Sequence, residues 1–230
     1  MRVNEIFHSI QGEGKTIGQP RLFIRFQGCQ ARCRYCDTSF SQNSRSYVKG
    51  SNLKASMHQY TKPINQLKDD IKNLEGLSYN RWVITGGEPL LQQDEIIKLI
   101  KDEKPEWVEI ETNGIIEPKK ELIKLVNLWN ISPKNEKYQK YKIDTTPKIF
   151  NSLKLLKDYV IKIVYTGKED ENFIFQFKKI PKEKIYIMPE GKTREEQFRK
   201  SPDIIKFCLK NNFNFSPRLH VLVWNRKRAV

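Results

Sequence analysis

Cysteine is scarce and unevenly placed: the 230 residues hold four, with three at positions 29, 33 and 36 and the last at Cys208. That distribution argues against a disulfide-stapled fold and for a metal-binding loop in a reducing compartment. No uninterrupted apolar run approaches the roughly 20 residues that a bilayer-spanning helix needs. Met1-Arg2-Val3-Asn4-Glu5 lacks the apolar core of a signal peptide. A cytoplasmic protein without a membrane partner is therefore expected. Acidic residues are outnumbered, 27 Asp+Glu against 42 Lys+Arg, for a formal charge of +15. Such an excess suggests nucleic acid, yet the basic residues are spread along the chain and only Arg226-Lys227-Arg228 forms a tight cluster. The expectation is a lysine-rich solvated surface suited to an anionic substrate or an acidic electron donor, with no direct nucleic-acid contact.

What is present is a globular chain. A hydrophobic fraction of 38%, with 12 Phe, 9 Tyr and 4 Trp, supplies a core, and the length suits one domain over residues 1–230. Short β-branched runs alternate with helical patterns. Strands are expected at Arg21 to Phe26, Trp82 to Ile84, Val108 to Ile110, around Leu125 to Ile131, Tyr159 to Tyr165 and Lys184 to Met188. Helices are expected at Pro63 to Leu74, Asp94 to Lys101, Pro118 to Lys124, Ile149 to Lys157, Glu169 to Lys179 and Thr193 to Asn211. Strands separated by helices imply βαβ units and a parallel sheet with right-handed crossovers. The stretches 39–62 and 135–147 read as surface insertions. Cys208, in the apolar-periodic run Ile204 to Leu209, reads as a buried helix residue, because free cysteine behaves as a small hydrophobe.

The chemistry concentrates in Cys29-Gln30-Ala31-Arg32-Cys33-Arg34-Tyr35-Cys36, a C-x₃-C-x₂-C loop. Three thiolates bind three irons of a cubane and leave the fourth open to an outside ligand, whereas electron-carrying clusters usually take four cysteines. A zinc knuckle short of its fourth ligand is the alternative. After the strand at Trp82 comes Gly86-Gly87-Glu88-Pro89, where paired glycines permit close backbone approach and positive φ. Exposed carbonyls there, with Glu88, suit the ammonium of an amino acid. Together the two motifs resemble the radical S-adenosylmethionine superfamily.

The resemblance narrows further. Ile6-Phe7-His8-Ser9-Ile10-Gln11-Gly12-Glu13-Gly14, Gly18-Gln19-Pro20, Phe23-Ile24-Arg25 and Cys36-Asp37-Thr38 are similar to the 7-carboxy-7-deazaguanine synthase family. So are Glu111-Thr112-Asn113-Gly114, Ser132-Pro133-Lys134, Lys162-Ile163-Val164, Met188-Pro189-Glu190-Gly191 and Ser216-Pro217-Arg218-Leu219-His220. The likeness implies an abbreviated, partial TIM-like parallel β/α barrel and a ring-contracting carbon–nitrogen lyase. Such an enzyme converts 6-carboxy-5,6,7,8-tetrahydropterin into 7-carboxy-7-deazaguanine and ammonia, in 7-deazapurine biosynthesis of the queuosine and archaeosine type. S-adenosylmethionine serves as a regenerated cofactor. One 4Fe–4S cluster, Mg²⁺, a flavodoxin or ferredoxin reductant and a homodimer are also implied.

Residue by residue, the resemblance places the cluster on Cys29, Cys33 and Cys36 and Mg²⁺ beside Thr38, whose hydroxyl suits a hard cation with oxygen ligands. It places S-adenosylmethionine against Tyr35, Cys36, Asp37, Gly87, Glu88, Ser132, Pro133 and Lys134. It places the substrate against Ile10, Gln11, Gly12, Glu13, Arg25, Thr85 and His220. Arg25 offers a planar fork for a carboxylate, with a surface salt bridge as its alternative. Glu111 and Glu13 are the candidate proton-handling carboxylates; Glu111 reads almost equally well as an orienter of its neighbours. His8 and His58 are given no role and read as structural or surface residues. Ten residues follow His220, which argues against the Val230 carboxylate closing the pocket as it does in some members. Two rivals stand: an activating enzyme for a glycyl-radical partner, which shares the cysteine loop but does not need the Gln11 to Gly14 segment, and a metal-bearing nucleic-acid module, which needs basic and aromatic residues on one surface.

Overall fold

The computed structural model describes residues 1–42, 60–61, 64–72 and 80–229. The chain opens with an antiparallel hairpin, β1 (Arg2–Ile10) and β2 (Pro20–Phe26), in which Phe7 faces Phe23 and Glu5 faces Arg25. A short β3 (Tyr60–Thr61) pairs with the outer side of β1, and α1 (Ile64–Lys72) follows. Alternation then sets in: β4 (Arg81–Gly86), α2 (Gln93–Glu103), β5 (Trp107–Thr112), α3 (Lys120–Leu125), β6 (Leu128–Ile131) and β7 (Tyr159–Tyr165). The chain continues through α4 (Glu171–Phe175), β8 (Ile185–Pro189), α5 (Arg194–Asn211), β9 (Asn214–Phe215) and α6 (Leu219–Trp224). Among the described residues the strands form one sheet in the order β3-β1-β2-β4-β5-β6-β7-β8-β9. From β2 to β9 every neighbouring pair is parallel. This is an open, partial β/α barrel, closed on one side by a hairpin. Among the described residues no helix is long and apolar enough to cross a membrane.

The two faces of the sheet differ sharply, as the period of two along a strand allows. One face carries Leu22, Ile24, Trp82, Ile84, Ile110, Trp129, Ile161, Ile163 and Ile187, packed against Ile96, Leu99 and Ile100 of α2, Leu122 of α3 and Ile204 and Phe207 of α5. Burying each such side chain contributes about 1.5–3 kcal/mol. The other face carries the residues in between: Glu5, Phe7, Arg25, Thr85, Glu109, Glu111, Asn130 and Lys162. Charged residues line the concave side.

Several local expectations need revision. The N-terminal strand β1 was not foreseen, and the run expected around Leu125 to Ile131 divides into the end of α3 and β6. Lys148–Leu155 winds as a 3₁₀ helix and not as an α-helix, burying Ile149 and Ser152 three residues apart, the spacing that three residues per turn superimposes. The α-helix expected from Glu169 is confined to α4, because Gln176 and Phe177 donate to Phe173 and Ile174, three residues back. Thr193 caps α5 through a capping box with Glu196. The insertion expected at 39–62 lies mostly outside the described residues, as do Pro63, Leu74, His58 and Val230. The stretch 135–147 is largely exposed and touches the cysteine loop through an antiparallel bridge between Cys33 and Gln139.

Candidate active site

The cysteine loop leaves the carboxyl end of β2 and packs on the turn that leaves β4. Gly87 N–H donates to Phe26 C=O at 3.1 Å, Glu88 N–H donates to Gly28 C=O at 2.8 Å, and Gly28 N–H donates to Ser41 C=O at 2.8 Å. The backbones touch. A Cβ on Gly87 would lie 2.3 Å from the Gly28 carbonyl oxygen and 2.8 Å from that of Ser41. Gly86, at φ +146°, would meet the Phe26 backbone at 2.2 Å and adopts a conformation that L side chains rarely take. Gly87→Ala is therefore expected to drive the cysteine loop off β4. Iron content after reconstitution and thermal unfolding measure this, and a variant with normal iron and normal stability would show that the loop has room to give.

Among the described residues, each clustered sulfur has a polar side chain beside it. Gln139 Nε2 lies 3.2 Å from Cys33 Sγ, Thr38 Oγ1 lies 3.7 Å from Cys36 Sγ, and Asn113 Nδ2 lies 3.9 Å from Cys29 Sγ. Ala31 and Ile115 pack around them, with Tyr35 and Ile143 at the margin. Burial, aided by the charge of Glu88, pushes the Cys29 thiol up to about 12. Burial, aided by Asp37, also raises Cys36. Burial thus favours the protonated form at Cys29 and Cys36, whereas a bound metal deprotonates a coordinating thiol outright. Cys208 lies elsewhere, buried in α5 with its sulfur 3.7 Å from Asn214 C=O.

Above the loop opens a cavity of about 710 Å³, lined by Ile10 to Glu13, Arg25, the cysteines, Tyr35, Asp37, Thr38, Thr85, Gly87, Glu111, Ser132, Lys134, Lys162, Arg218 and His220. That volume is within the range of small-molecule sites. Glu88 and Pro133 are off this lining. The fully buried Glu88 carboxylate accepts from Leu90 N–H at 3.0 Å, Thr112 Oγ1 at 2.7 Å and Asn113 N–H at 2.8 Å. Burial raises its pKa against those bonds. The expected ammonium contact is thus not available to the Glu88 side chain, which instead ties the β4 turn to the end of β5.

The polar end of the cavity is built across long sequence separations. Lys162, 3% exposed, donates to Glu111 at 2.8 Å and to Glu13 at 3.0 Å. Glu111 also accepts from Thr85 Oγ1 at 2.8 Å and Gln11 Nε2 at 3.3 Å. Arg218 Nε donates to Glu13 at 2.9 Å, and its guanidinium also bridges to Asp37. Burial alone raises a carboxyl pKa, but Lys162 and Arg218 overcome it at Glu13 and Lys162 overcomes it at Glu111, so both stay below the ordinary range. Arg218 likewise outweighs burial at Asp37. Burial depresses His220 below the usual imidazole value.

The loop carrying Gln11 to Gly14 docks on the C-terminal motif. Gly14 N–H donates to Ser216 Oγ at 2.8 Å and Leu219 N–H to Gly12 C=O at 2.9 Å. A Cβ on Gly12 would lie 2.2 Å from His220 Nδ1, which gives the glycine a packing reason. Beneath, the fully buried Glu109 accepts from Gln11 at 2.9 Å, from Thr16 at 2.8 Å and from Asn130. Arg25 is committed locally: Nε donates to Glu5 at 2.6 Å and the guanidinium lies 5.8 Å from the Phe7 ring centre. The sequence motifs by themselves assign no role to Lys162, Arg218 or Glu109. The available signal was a lysine inside the otherwise apolar Val160-Ile161-Lys162-Ile163-Val164.

The signature of the Radical SAM superfamily spans residues 23–173. The 7-carboxy-7-deazaguanine synthase of Pyrobaculum aerophilum is 30% identical over 100% of this chain and 97% of its own. The chain belongs to this radical S-adenosylmethionine family. The 7-carboxy-7-deazaguanine synthase of Buchnera aphidicola subsp. Schizaphis graminum is 32% identical over 95% of each chain. The crystal structure of QueE from Escherichia coli superposes with a TM-score of 0.68, covering 95% of this chain and 94% of that one, at 22% identity, a likeness of fold. The family's 4Fe–4S cluster and S-adenosylmethionine fit what this synthase fold offers. Three thiols in an apolar shell each have a polar neighbour, and a cavity opens directly above them.

Proposed function

We propose that this chain is a ring-contracting lyase that converts 6-carboxy-5,6,7,8-tetrahydropterin into 7-carboxy-7-deazaguanine and ammonia. The observation that carries this reading is the closed polar end of the cavity, where the Gln11 to Gly14 loop, Lys162, Arg218 and His220 meet. Bound at Cys29, Cys33 and Cys36, the cluster with S-adenosylmethionine supplies hydrogen-abstracting radical chemistry. The protein then has to hold the ring, exclude water and manage protons. Tyr35, Asp37, Gly87, Ser132 and Lys134, which line the cavity with the cysteines, would hold the cosubstrate. Ile10, Gln11, Gly12, Thr85 and His220 frame the substrate, and the carboxylates of Glu13 and Glu111 face its N–H donors. Arg25 is assigned to the substrate carboxylate, with Glu5 orienting its guanidinium. Glu13 and Glu111 are the proton-handling carboxylates, and Lys162, whose pKa the two of them raise, stays protonated between them and keeps them ionised.

The same reading gives Mg²⁺ to Thr38, an acidic flavodoxin or ferredoxin as electron donor to the basic surface, and a homodimer as the working unit. Thr38→Ala is expected to flatten the response of turnover to Mg²⁺ while leaving iron content unchanged. An unaltered Mg²⁺ titration would reduce Thr38 to a neighbour of the Cys36 sulfur. The reading as a whole is tested by anaerobic incubation of the reconstituted protein with S-adenosylmethionine, a reductant and the carboxylated pterin. Stoichiometric ammonia and 7-carboxy-7-deazaguanine, with S-adenosylmethionine recovered intact, support it. Consumption of S-adenosylmethionine with the pterin unchanged would overturn it.

A further inference from the structure

Gln139 belongs to none of the motifs and has no place in the substrate reading, yet it is 6% exposed and lies against the cysteine loop. Its Oε1 accepts from Arg32 N–H at 2.8 Å, and its Nε2 faces Cys33 Sγ at 3.2 Å. The orientation of the amide is determined chemically. A backbone N–H can only donate, so the oxygen must face Arg32 and the N–H₂ must face the sulfur. The surrounding backbone holds this geometry. Arg34 N–H donates to Tyr138 C=O at 2.8 Å, and Lys140 N–H donates to Arg32 C=O at 2.9 Å. Tyr138 packs edge-on against Tyr35 at 5.3 Å, and its hydroxyl shares a 2.6 Å hydrogen bond with Thr166. Among the described residues, the polar side-chain contacts at the other two sulfurs are longer, 3.7 Å at Cys36 and 3.9 Å at Cys29.

We propose that Gln139 is a positioning residue that raises the reduction potential of the cluster through an amide N–H···S bond to Cys33. This rests on the assignment of Cys33 as a cluster ligand. A hydrogen bond to a ligating thiolate withdraws electron density from the sulfur and stabilises the more negative, reduced state. The cluster is thereby brought within reach of a weaker electron donor. Because the amide comes from the connection between β6 and β7, the sequence of that connection tunes a cluster held by a loop more than 100 positions earlier.

The test compares the reconstituted wild-type holoenzyme with Gln139→Met, which keeps the length of the side chain, adds no charge and lacks the donor. Redox titration followed by electron paramagnetic resonance of the reduced cluster gives the midpoint potential. Iron and sulfide per chain should match wild type. The reduction equilibrium should become less favourable by about tenfold, which is about 59 mV downward for a one-electron couple. Tyr138→Phe, which loses the bond to Thr166 but keeps the amide, should leave the potential where it was. An unshifted Gln139→Met, or an equal shift in Tyr138→Phe, would overturn the proposal. If Gln139→Met fails to hold a cluster, protein labelled with ¹⁵N in its glutamine side chains decides, in a Gln30→Leu background that removes the glutamine amide of the cysteine loop itself, which bonds Asn113 at 3.2 Å: pulsed resonance should detect a ¹⁵N coupling to the reduced cluster, and its absence overturns the bond. Absence of iron from the wild-type protein would instead refute the ligand assignment, a separate failure.

Discussion

Cys33→Ala, and equally Cys29→Ala or Cys36→Ala, is expected to yield protein with no 4Fe–4S cluster and no turnover, whereas Cys208→Ala assembles a full cluster. The three ligands cannot be replaced locally. The sulfurs pack against Ala31 and Ile115, and the described residues near the loop offer no fourth thiol. Cys208 is anchored in α5, 3% exposed, with burial raising its thiol to about 11. Its loss removes a small apolar group from the helix–sheet interface and nothing from the site. Iron and sulfide per chain, with the visible absorbance, measure the outcome. Normal absorbance in Cys33→Ala, or its loss in Cys208→Ala, would remove the cluster from this loop.

Lys162→Met should lower turnover by at least about a hundredfold and destabilise the fold, because breaking a buried ion pair strands its partners at a cost of about 3–5 kcal/mol. Glu111, 24% exposed, loses its cation partner, while Glu13, 15% exposed, keeps only Arg218 among the described residues. In wild type both are held below the ordinary carboxylate range, Lys162 prevailing over burial. Their contribution to stability is therefore fully present above the unfolded carboxylate pKa of about 4.3 and lost as pH falls through the lower folded values. Without Lys162, burial and the charge of Glu13 act on Glu111 against only the hydrogen bonds from Thr85 and Gln11, and at least one carboxyl of the pair shifts upward. The sign then reverses: the variant loses stability as pH rises above about 4.3 toward the raised folded value. Urea unfolding from pH 4 to pH 8 distinguishes the two. A variant that keeps wild-type stability and turnover at neutral pH would show that the lysine is a bystander.

How much was legible beforehand depends on sequence distance. The strands from β4 to β8 announce themselves as short β-branched runs, and Thr193 before Arg194-Glu195-Glu196 marks the start of α5. The strand β1 was obscured because its outward and inward residues mix His8, Ser9, Glu5 and Phe7 without clean alternation. The 3₁₀ segment at Lys148–Leu155 carries helical periodicity that tertiary burial tightened. Glu88 was recognised as part of a motif, but which way its carboxylate turns depends on Thr112 and Asn113, donated by the next strand.

The sequence by itself determined the chemistry that a short stretch of chain can hold: three cysteines within one loop, a paired-glycine turn after a strand, and a Gly-x-Gly segment near the start. Eight residues of backbone restrict where Cys29, Cys33 and Cys36 can reach, so their spacing already implies one multidentate site. Only the tertiary structure decided which charges meet. Lys162 reaches Glu13 across 149 positions and Glu111 across 51, and Arg218 reaches Glu13 across 205. Those pairs exist because the parallel register turns Glu111 and Lys162 to the concave face, and a slip of one residue in either strand would send its charge to the helix side. Register is set by the whole sheet and its packed outer face, and no local window of sequence contains it.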